Sequence, residues 1–270
     1  MTLIKERDDM AKGKEINKKT GVQDFIKKII ITTFTFCSKI WGSLIKQVHY
    51  LEPKNNTHQR ILSAAVLIPA ALYAIFYSKS VFILFALAIA MLMTIEWMDI
   101  VGNDEKKKKW RIIGFFYIVI PIFSMVKIRL EHDADILLWM FAIIWSTDIF
   151  AFFAGKMLGG PKLAPSISPN KTWSGLAGGM VASMIIGVLS SIMFEGGVVF
   201  FVCVSVILAM LEQLSDLLES KFKRMFGVKD SGNIIPGHGG VLDRMDGMIL
   251  LAPTILILIT FFPERFYIIL

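Results

Sequence analysis

Long apolar runs separated by short polar segments fill the sequence from residue 61 onwards. There are seven, covering about residues 61–78, 81–99, 112–128, 135–154, 174–194, 197–215 and 247–263. A helix needs roughly 18–20 apolar residues to cross the hydrocarbon core of a bilayer. Polar and apolar residues do not alternate within the runs as they do in membrane barrels. The pattern predicts an all-α, polytopic integral membrane protein with about seven transmembrane helices, and up to nine if some segments are broken or re-entrant.

The first 55 residues do not continue this pattern. Residues 1–24 are polar and rich in lysine, which predicts a disordered cytoplasmic tail. Residues 25–50 contain apolar positions, but lysines interrupt them, as is typical of an amphipathic helix lying in the membrane interface. We therefore expect a basic tail with an interfacial helix over 1–55 and a membrane-embedded domain over 56–270.

Composition supports a membrane protein and bears on its partners. Apolar residues make up 55% of the chain, charged residues 19%, and the mean hydropathy is +0.62. The net charge of +7 could suggest a nucleic-acid partner. In a membrane protein, however, basic residues collect in cytoplasmic loops and contact anionic lipid head groups. We therefore expect the lipid bilayer as the partner of these charges, and no nucleic acid.

The positions of the basic residues predict the orientation in the membrane. If the N-terminus is cytoplasmic and seven spans alternate, nearly all 29 Lys and Arg residues lie in the tail or in cytoplasmic loops. The only ones on the opposite side are Lys79, Lys127, Arg129 and Arg265. Such an excess is characteristic of cytoplasmic loops. The loops around 155–175 and 216–246 are therefore expected on the cytoplasmic face.

The segment 216–246 concentrates charge between two apolar runs. Asp216, Ser220 and the pair Lys223 and Arg224 are spaced so that they share one face if the preceding span continues as a helix. The basic residues could simply extend from a helix end towards lipid head groups. That alternative does not account for Asp216, which lies near the membrane boundary.

The same segment ends with two further acids. Asp243 and Asp246 lie three residues apart at the start of the last run, with Arg244 between them. Acids at a helix N-terminus are stabilised by the helix dipole, so both could be caps. Paired carboxylates are also ligands that Mg²⁺ uses when it bridges phosphates. Before them, the turn around His238, Gly239 and Gly240 could bind a phosphate through its backbone N–H groups, although most glycine-rich turns are only turns.

A second polar loop covers residues 155–175. It contains Lys162 and Lys171 among prolines and hydroxyl residues, which suits either a phosphate-contacting loop or a structured connector. Asp148 lies in an otherwise apolar run, and a carboxylate inside the membrane is a functional candidate because its burial is costly. Glu96 and Glu212 are weaker candidates, since each lies near the end of a run.

Together these residues form a long signature: Ser220-x-Phe-Lys-Arg224-x4-Lys229-Asp230-x-Gly-x2-Ile-Pro-x-His238-Gly-Gly-Val-x-Asp243-Arg244-Met-Asp246. It resembles the signature of phosphatidate cytidylyltransferases, also called CDP-diacylglycerol synthases. Asp148, Gly155, Lys162-Leu-Ala-Pro and Ser168-Pro-x-Lys171-Thr-Trp173-x-Gly175 resemble the same family. The resemblance extends from about residue 60 to the C-terminus. Two positions depart from the family pattern: Ser215, where Gly is usual, and Ser174, where an acid or amide is frequent.

The resemblance implies transfer of the cytidylyl group of CTP to phosphatidate, giving CDP-diacylglycerol and pyrophosphate with Mg²⁺ and up to one further metal ion. By that resemblance Asp216, Asp243 and Asp246 would hold metal. Lys223, Arg224, Lys229, Arg244 and Lys171 would neutralise the phosphates of the two substrates, and Ser220 and His238 would orient phosphate or metal-bound water. Together with Lys171, the residues Lys162, Asp148, Gly239 and Gly240 would complete the binding site. A homodimer in the bacterial cytoplasmic (inner) membrane is also implied.

Two other functions fit parts of the sequence. A CTP-dependent lipid kinase of the polyprenol or phytol kinase type would use a lipid alcohol and the γ-phosphate instead. The signature ending in Asp243-Arg-Met-Asp246 favours the transferase. A transporter could use Asp148 and the Asp216 region as an ion path, but transporter sites lie near the bilayer midplane. Here the charges cluster in and beside the predicted cytoplasmic loops.

Overall fold

Helices make up most of the computed structural model, which describes residues 56–102, 107–237 and 239–267. In chain order the elements are α1 (Asn56–Tyr77), α2 (Lys79–Val101), α3 (Lys108–Glu131), α4 (Ala134–Leu158), β1 (Lys162–Ala164), β2 (Ser168–Thr172), α5 (Trp173–Met193), α6 (Val198–Met225), α7 (Leu242–Met245), α8 (Met248–Phe261) and a 3₁₀ turn (Pro263–Phe266). The predicted tail and interfacial helix over 1–55 lie outside the described residues.

The helices confirm a polytopic membrane protein. Six segments of the described chain are long and apolar enough to cross a bilayer: α2, α3, α4, α5, α6, and α7 with α8 counted together over Leu242–Phe261. The first predicted span corresponds to α1, whose apolar part, Ala65–Tyr77, is shorter. The last predicted span, 247–263, corresponds to α8, and the short helix α7 precedes it with Asp246 and Gly247 between the two.

Glycines bring α4, α5 and α6 into close contact. A Cβ on Gly175 would lie 2.8 Å from the backbone oxygen of Ala151, and one on Gly179 would lie 2.9 Å from Thr147 Cγ2. On the other side of α5, a Cβ on Gly187 would lie 2.6 Å from the Phe201 backbone oxygen. In lipid, helix association depends on such close packing, because the surrounding tails are as apolar as the helix surface. The close contacts therefore fix these three helices, and the polar loops at their ends, relative to one another.

One end of the helix bundle is aromatic. Trp139 near the start of α4, Phe194 after α5, Phe201 near the start of α6 and Phe266 in the 3₁₀ turn pack with ring centroids 5.4–6.5 Å apart. Glu195 N donates to Tyr267 O at 3.0 Å in the same region. We call this the aromatic end. The apolar core continues from it between α2, α3, α4 and α8.

The opposite end carries the polar loops, and we call it the site end. Trp97 near the end of α2 stacks on Phe222 near the end of α6, with centroids 3.9 Å apart. The loop between α4 and α5 contains a small antiparallel hairpin of β1 and β2, in which Lys162 pairs with Thr172. Thr172 Oγ1 caps α5 by accepting from Gly175 N at 3.1 Å. The hairpin is thereby fixed to the end of α5.

Candidate active site

The charged residues after Leu214 belong to α6, which continues to Met225 and is 28 residues long. The predicted apolar run ended at residue 215, but the helix continues beyond it through the charged residues. It therefore presents Glu212, Asp216, Glu219, Ser220 and Lys223 at three- and four-residue spacing along one side. Ser220 Oγ donates to Asp216 Oδ1 at 3.2 Å, as this spacing allows.

Three carboxylates meet at the centre of the site. Asp216, Glu219 and Asp246 each offer an oxygen, and these oxygens all lie within 4.8 Å of one another. We call them the acidic cluster. Glu219 is 1% exposed, and its Oε2 has no hydrogen-bond partner among the described residues. Asp216 and Asp246 were predicted metal ligands, whereas the structure adds Glu219 and places Asp243 elsewhere.

Asp246 lies in the turn between α7 and α8, whose backbone dihedrals stay helical at Asp246 and Gly247. Its side-chain Oδ1 accepts from Gly247 N at 2.8 Å, and its backbone oxygen accepts from Ile249 N at 3.3 Å. The same backbone oxygen accepts a hydrogen bond from Ser215 Oγ. Ser215, a departure from the family signature, thus joins α6 to this turn.

The hairpin supplies a cation to the cluster. Lys171, on β2, forms an ion pair with Asp216 Oδ2, and its Nζ donates to Gln213 Oε1 at 2.8 Å. Gln213 Nε2 in turn donates to Glu212 Oε2 at 2.8 Å. Asp148, on α4, lies beside Glu212 and within electrostatic range of Lys171 and Asp216. Lys171 therefore contacts the cluster and Asp148 lies near it; the family resemblance implied that both act at the nucleotide.

Asp243 forms a different contact set from the one predicted. Its Oδ1 accepts from Lys223 Nζ at 2.6 Å, and its carboxylate accepts from the backbone N–H groups of Ser231 at 3.0 Å and Gly240 at 2.9 Å. Lys223 Nζ also lies 3.2 Å from Glu219 Oε1. Lys223 therefore links Asp243 to the acidic cluster. The Gly240 N–H, predicted as a phosphate donor, is used by Asp243 instead.

Close packing explains why this turn has glycine at both Gly239 and Gly240. Gly239 has φ +83°, and a Cβ there would lie 2.8 Å from Asp243 Oδ2. A Cβ on Gly240 would lie 1.9 Å from Ser231 Oγ and 2.6 Å from Glu96 Oε2. The glycines thus allow the turn to approach two carboxylates, Asp243 and Glu96.

Glu96 anchors the signature loop to α2. It is 2% exposed, and its carboxylate accepts from Val241 N at 2.8 Å, Leu242 N at 2.8 Å and Ser231 Oγ at 3.0 Å. These donors are 135 to 146 residues away in sequence. Two of them are N–H groups at the start of α7, which have no partner within the helix. Glu96 therefore fixes the start of α7, the short helix that carries Asp243.

The remaining predicted basic residues surround this centre. Lys162, Arg224, Lys229 and Arg244 are exposed, and Arg224 Nη1 donates to Val228 O at 3.0 Å. They lie in β1, at the end of α6, in the loop that follows, and in α7. His238 lies outside the described residues. Lys171 and Lys223 form ion pairs with carboxylates of the site, and the other four basic residues are exposed.

Sequence reasoning missed Glu219 and underestimated Glu96. Glu219 could have been found, because it lies three residues after Asp216 on the same helical face. No local signal connects Glu96 to Ser231 or Val241, since the contact depends on how α2 packs against the signature loop.

The acidic cluster can bind a divalent cation. Carboxylate oxygens are the ligands that Mg²⁺ prefers, and it commonly uses only a few of them together with phosphates and waters. A buried carboxylate oxygen without a donor, as in Glu219, leaves an acceptor that a cation would satisfy. Lys171 and Lys223 beside the cluster can neutralise anionic groups. The site is therefore suited to the chemistry of phosphate groups.

Comparison with known proteins agrees with a site for phosphate chemistry. The sequence profile described as the Cytidylyltransferase family matches residues 109–262. The chain is 43% identical over 210 residues to the phosphatidate cytidylyltransferase of Rickettsia bellii, covering 74% of this chain and 89% of that protein. It is 41% identical to the enzyme of the same name in Rickettsia felis, covering 77% and 94%, and 39% identical to that of Brucella abortus, covering 65% and 63%. The chain belongs to the cytidylyltransferase family.

Proposed function

We propose that the chain carries out the reaction for which its relatives are named: CTP and phosphatidate give CDP-diacylglycerol and pyrophosphate for phospholipid biosynthesis. The observation that carries the proposal is the acidic cluster of Asp216, Glu219 and Asp246, flanked by Lys171 and Lys223 at the end of a membrane bundle. A water-soluble nucleotide and a membrane-bound phosphate can meet at such a position.

The proposed chemistry is a nucleotidyl transfer. An oxygen of the phosphatidate phosphate forms a bond to the α-phosphorus of CTP, and the bond from that phosphorus to the β-phosphate oxygen breaks. Pyrophosphate leaves with the electron pair. A phosphate monoester is already an anionic nucleophile, so the protein needs neither a covalent intermediate nor a strong base. Its task is to align two anions and neutralise their charge.

Mg²⁺ is the metal we propose for the acidic cluster, held by Asp216, Glu219 and Asp246. When bound, it would neutralise charge on the nucleotide phosphates. Lys171, beside Asp216, would supply a cation to a phosphate oxygen. A second ion would have to share Asp243, whose carboxylate already contacts Lys223 and two backbone amides. We therefore favour one ion.

We also propose on which side of the membrane the site lies. We place the site end at the cytoplasmic face of the bacterial inner membrane. Supporting this, the loops at the site end carry most of the basic residues outside the N-terminal 60, and such loops are cytoplasmic. Cysteine labelling of intact cells would check it: single cysteines at exposed Lys229 and Arg265 should differ, with only Arg265→Cys reached by an impermeant reagent.

Position-specific labelling of CTP tests the reaction. Purified protein receives either phosphatidate or a polyprenol, together with CTP labelled at either the α- or the γ-phosphate, with and without Mg²⁺. Cytidylyl transfer places the α-label in the lipid and the γ-label in pyrophosphate. Transfer of the γ-label to a lipid alcohol, with release of CDP, would show a CTP-dependent lipid kinase and end the proposal.

Matched variants connect that reaction to the cluster. Asp216→Asn should reduce turnover at least about 100-fold, because it removes a carboxylate that would hold the metal neutralising the transferring phosphates. Asp99→Asn, at an exposed acid on α2 outside the signature, should leave turnover nearly unchanged. Equal effects of the two substitutions would mean that the cluster is not where the reaction occurs.

Two further features of the protein are proposed from the sequence and the family resemblance. We propose that residues 56–270 form the catalytic domain, so deletion of residues 1–50 should leave turnover intact; complete loss in folded protein would contradict this. We also propose a homodimer, which mass measurement in detergent would detect. A monomer with full activity would exclude it as a requirement.

A further inference from the structure

Among the buried side-chain atoms that have no hydrogen-bond partner in the described chain are Tyr117 Oη on α3 and Glu219 Oε2 on α6; Trp139, Thr147 and Ser205 carry others. An unsatisfied buried polar group is costly, so native structures rarely contain one without a reason. Two of them beside one charged site indicate a group that binds there. Tyr117 was not among the residues predicted from sequence.

The Tyr117 hydroxyl lies near the acidic cluster. Its ring packs against Trp97, which stacks on Phe222 of α6, the helix that carries two members of the cluster. The hydroxyl also lies within electrostatic range of all three members. Helix α3, which carries Tyr117, packs against α8 as well. A donor from α3 therefore lies beside a site whose other known groups come from α6, β2 and the turn between α7 and α8.

Aromatic packing holds the Tyr117 ring in place. Its centroid lies 5.0 Å from that of Trp97, which stacks on Phe222 at 3.9 Å. Trp97 is itself fixed, because its Nε1 donates to Trp110 O at 3.0 Å. Gly114, one turn before Tyr117, makes room for this indole: a Cβ there would lie 2.1 Å from Trp97 Nε1. The hydroxyl is therefore positioned before any ligand binds.

We propose that Tyr117 is a ligand-binding residue of the active site, whose hydroxyl donates a hydrogen bond to an oxygen of the substrate phosphate or of a water molecule held at the acidic cluster. The inference rests on the proposed function for the identity of the substrate. A donor there adds to Lys171 and Lys223, which approach the cluster from β2 and from α6. It contributes direction rather than charge, since a phenol hydroxyl donates along one axis.

Tyr117→Phe removes the hydroxyl and keeps the ring against Trp97. Tyr73→Phe is the matched control, because Tyr73 is 56% exposed on α1. We expect kcat/KM for CTP and phosphatidate to fall about 10- to 100-fold in Tyr117→Phe and to stay unchanged in the control. Without ligand, the melting temperature of Tyr117→Phe should be unchanged or higher, because the lost hydroxyl has no partner within the described protein.

Thermal unfolding in detergent provides the second readout, with Mg²⁺ alone and with Mg²⁺ plus CTP. In the parent protein each addition should raise the melting temperature. A smaller rise in Tyr117→Phe with Mg²⁺ alone indicates that the hydroxyl contacts water in the site; a smaller rise only with CTP indicates a phosphate oxygen. Equal rises in both proteins, with unchanged kinetics, would overturn the proposal. A lower melting temperature without ligand, together with unchanged kinetics, would show a structural hydroxyl and also overturn it.

These outcomes can be separated from failure of the proposed function. If the parent protein does not convert phosphatidate, the labelling experiment shows that directly. The ligand-dependent melting temperatures still report whether Tyr117 contacts what binds at the acidic cluster.

Discussion

Replacing Glu96 should disturb the active site through the signature loop, although Glu96 lies outside both the charged segment 216–246 and the residues matched by the family profile. The substitution Glu96→Gln changes one oxygen of the buried carboxylate into an amide NH₂ group. The present carboxylate accepts three hydrogen bonds, one at Oε1 from Val241 N and two at Oε2 from Leu242 N and Ser231 Oγ.

The size of the effect follows from these contacts. The amide oxygen can take the place of Oε2 and keep two of the three hydrogen bonds, but its NH₂ group then faces the Val241 N–H. One unsatisfied buried donor costs about 1–3 kcal/mol. Glu96→Ala leaves all three donors without an acceptor, so it should cost about 3–9 kcal/mol, less whatever entering water restores. The alanine variant is therefore expected to accumulate poorly.

Three measurements check this reasoning. Thermal unfolding in detergent should rank the parent above Glu96→Gln and Glu96→Ala below both. Hydrogen exchange should show about 5- to 150-fold faster exchange in the segment 231–242 of Glu96→Gln, the equivalent of 1–3 kcal/mol. Its kcat should fall, because Asp243 and Lys223 lose a fixed loop.

Asp99→Asn is the control for Glu96, since Asp99 is an exposed acid on the same helix. If Glu96→Gln and Asp99→Asn have the same melting temperature and the same exchange over residues 231–242, then Glu96 does not anchor the loop. A local increase in exchange without loss of kcat would show that the anchor stabilises the fold but does not position the site.

Three other substitutions have definite expected outcomes. Glu219→Gln should lower turnover at least about 100-fold and raise the Mg²⁺ concentration needed for half-maximal rate, as a Mg²⁺ titration would show, with little loss of stability; unchanged Mg²⁺ dependence would remove Glu219 from the metal site. Asp243→Asn breaks a buried ion pair with Lys223 and should lower the free energy of unfolding by about 3 kcal/mol. Thermal unfolding would test this, and the double variant Asp243→Asn, Lys223→Met should recover stability because no unpaired charge is left buried. Gly187→Ala forces a methyl group to 2.6 Å from the Phe201 backbone oxygen and should cost about 1–3 kcal/mol; an unchanged melting temperature would show that α5 and α6 can separate freely.

The helical architecture and most of the charged site were predictable from local pattern. Apolar runs must form helices in lipid because no other open structure satisfies the backbone, and helical spacing along α6 already implied that Asp216, Ser220 and Lys223 share a face. The hairpin of β1 and β2 was not predicted, since five-residue segments such as Ser168–Thr172 carry too little periodicity to distinguish a strand from a loop.

Sequence alone determined the class of protein, the segment that carries the chemistry and the family it resembles, because hydrophobic period and a long motif are local properties. Tertiary structure decided which acids lie together. Asp243 and Asp246 are three residues apart, yet Asp246 lies beside Asp216 and Glu219, while Asp243 contacts Lys223 and two backbone amides. Tyr117 and Glu96 come near these groups only through the packing of α3 and α2. Contacts between distant helices depend on the whole fold, and no local pattern encodes them.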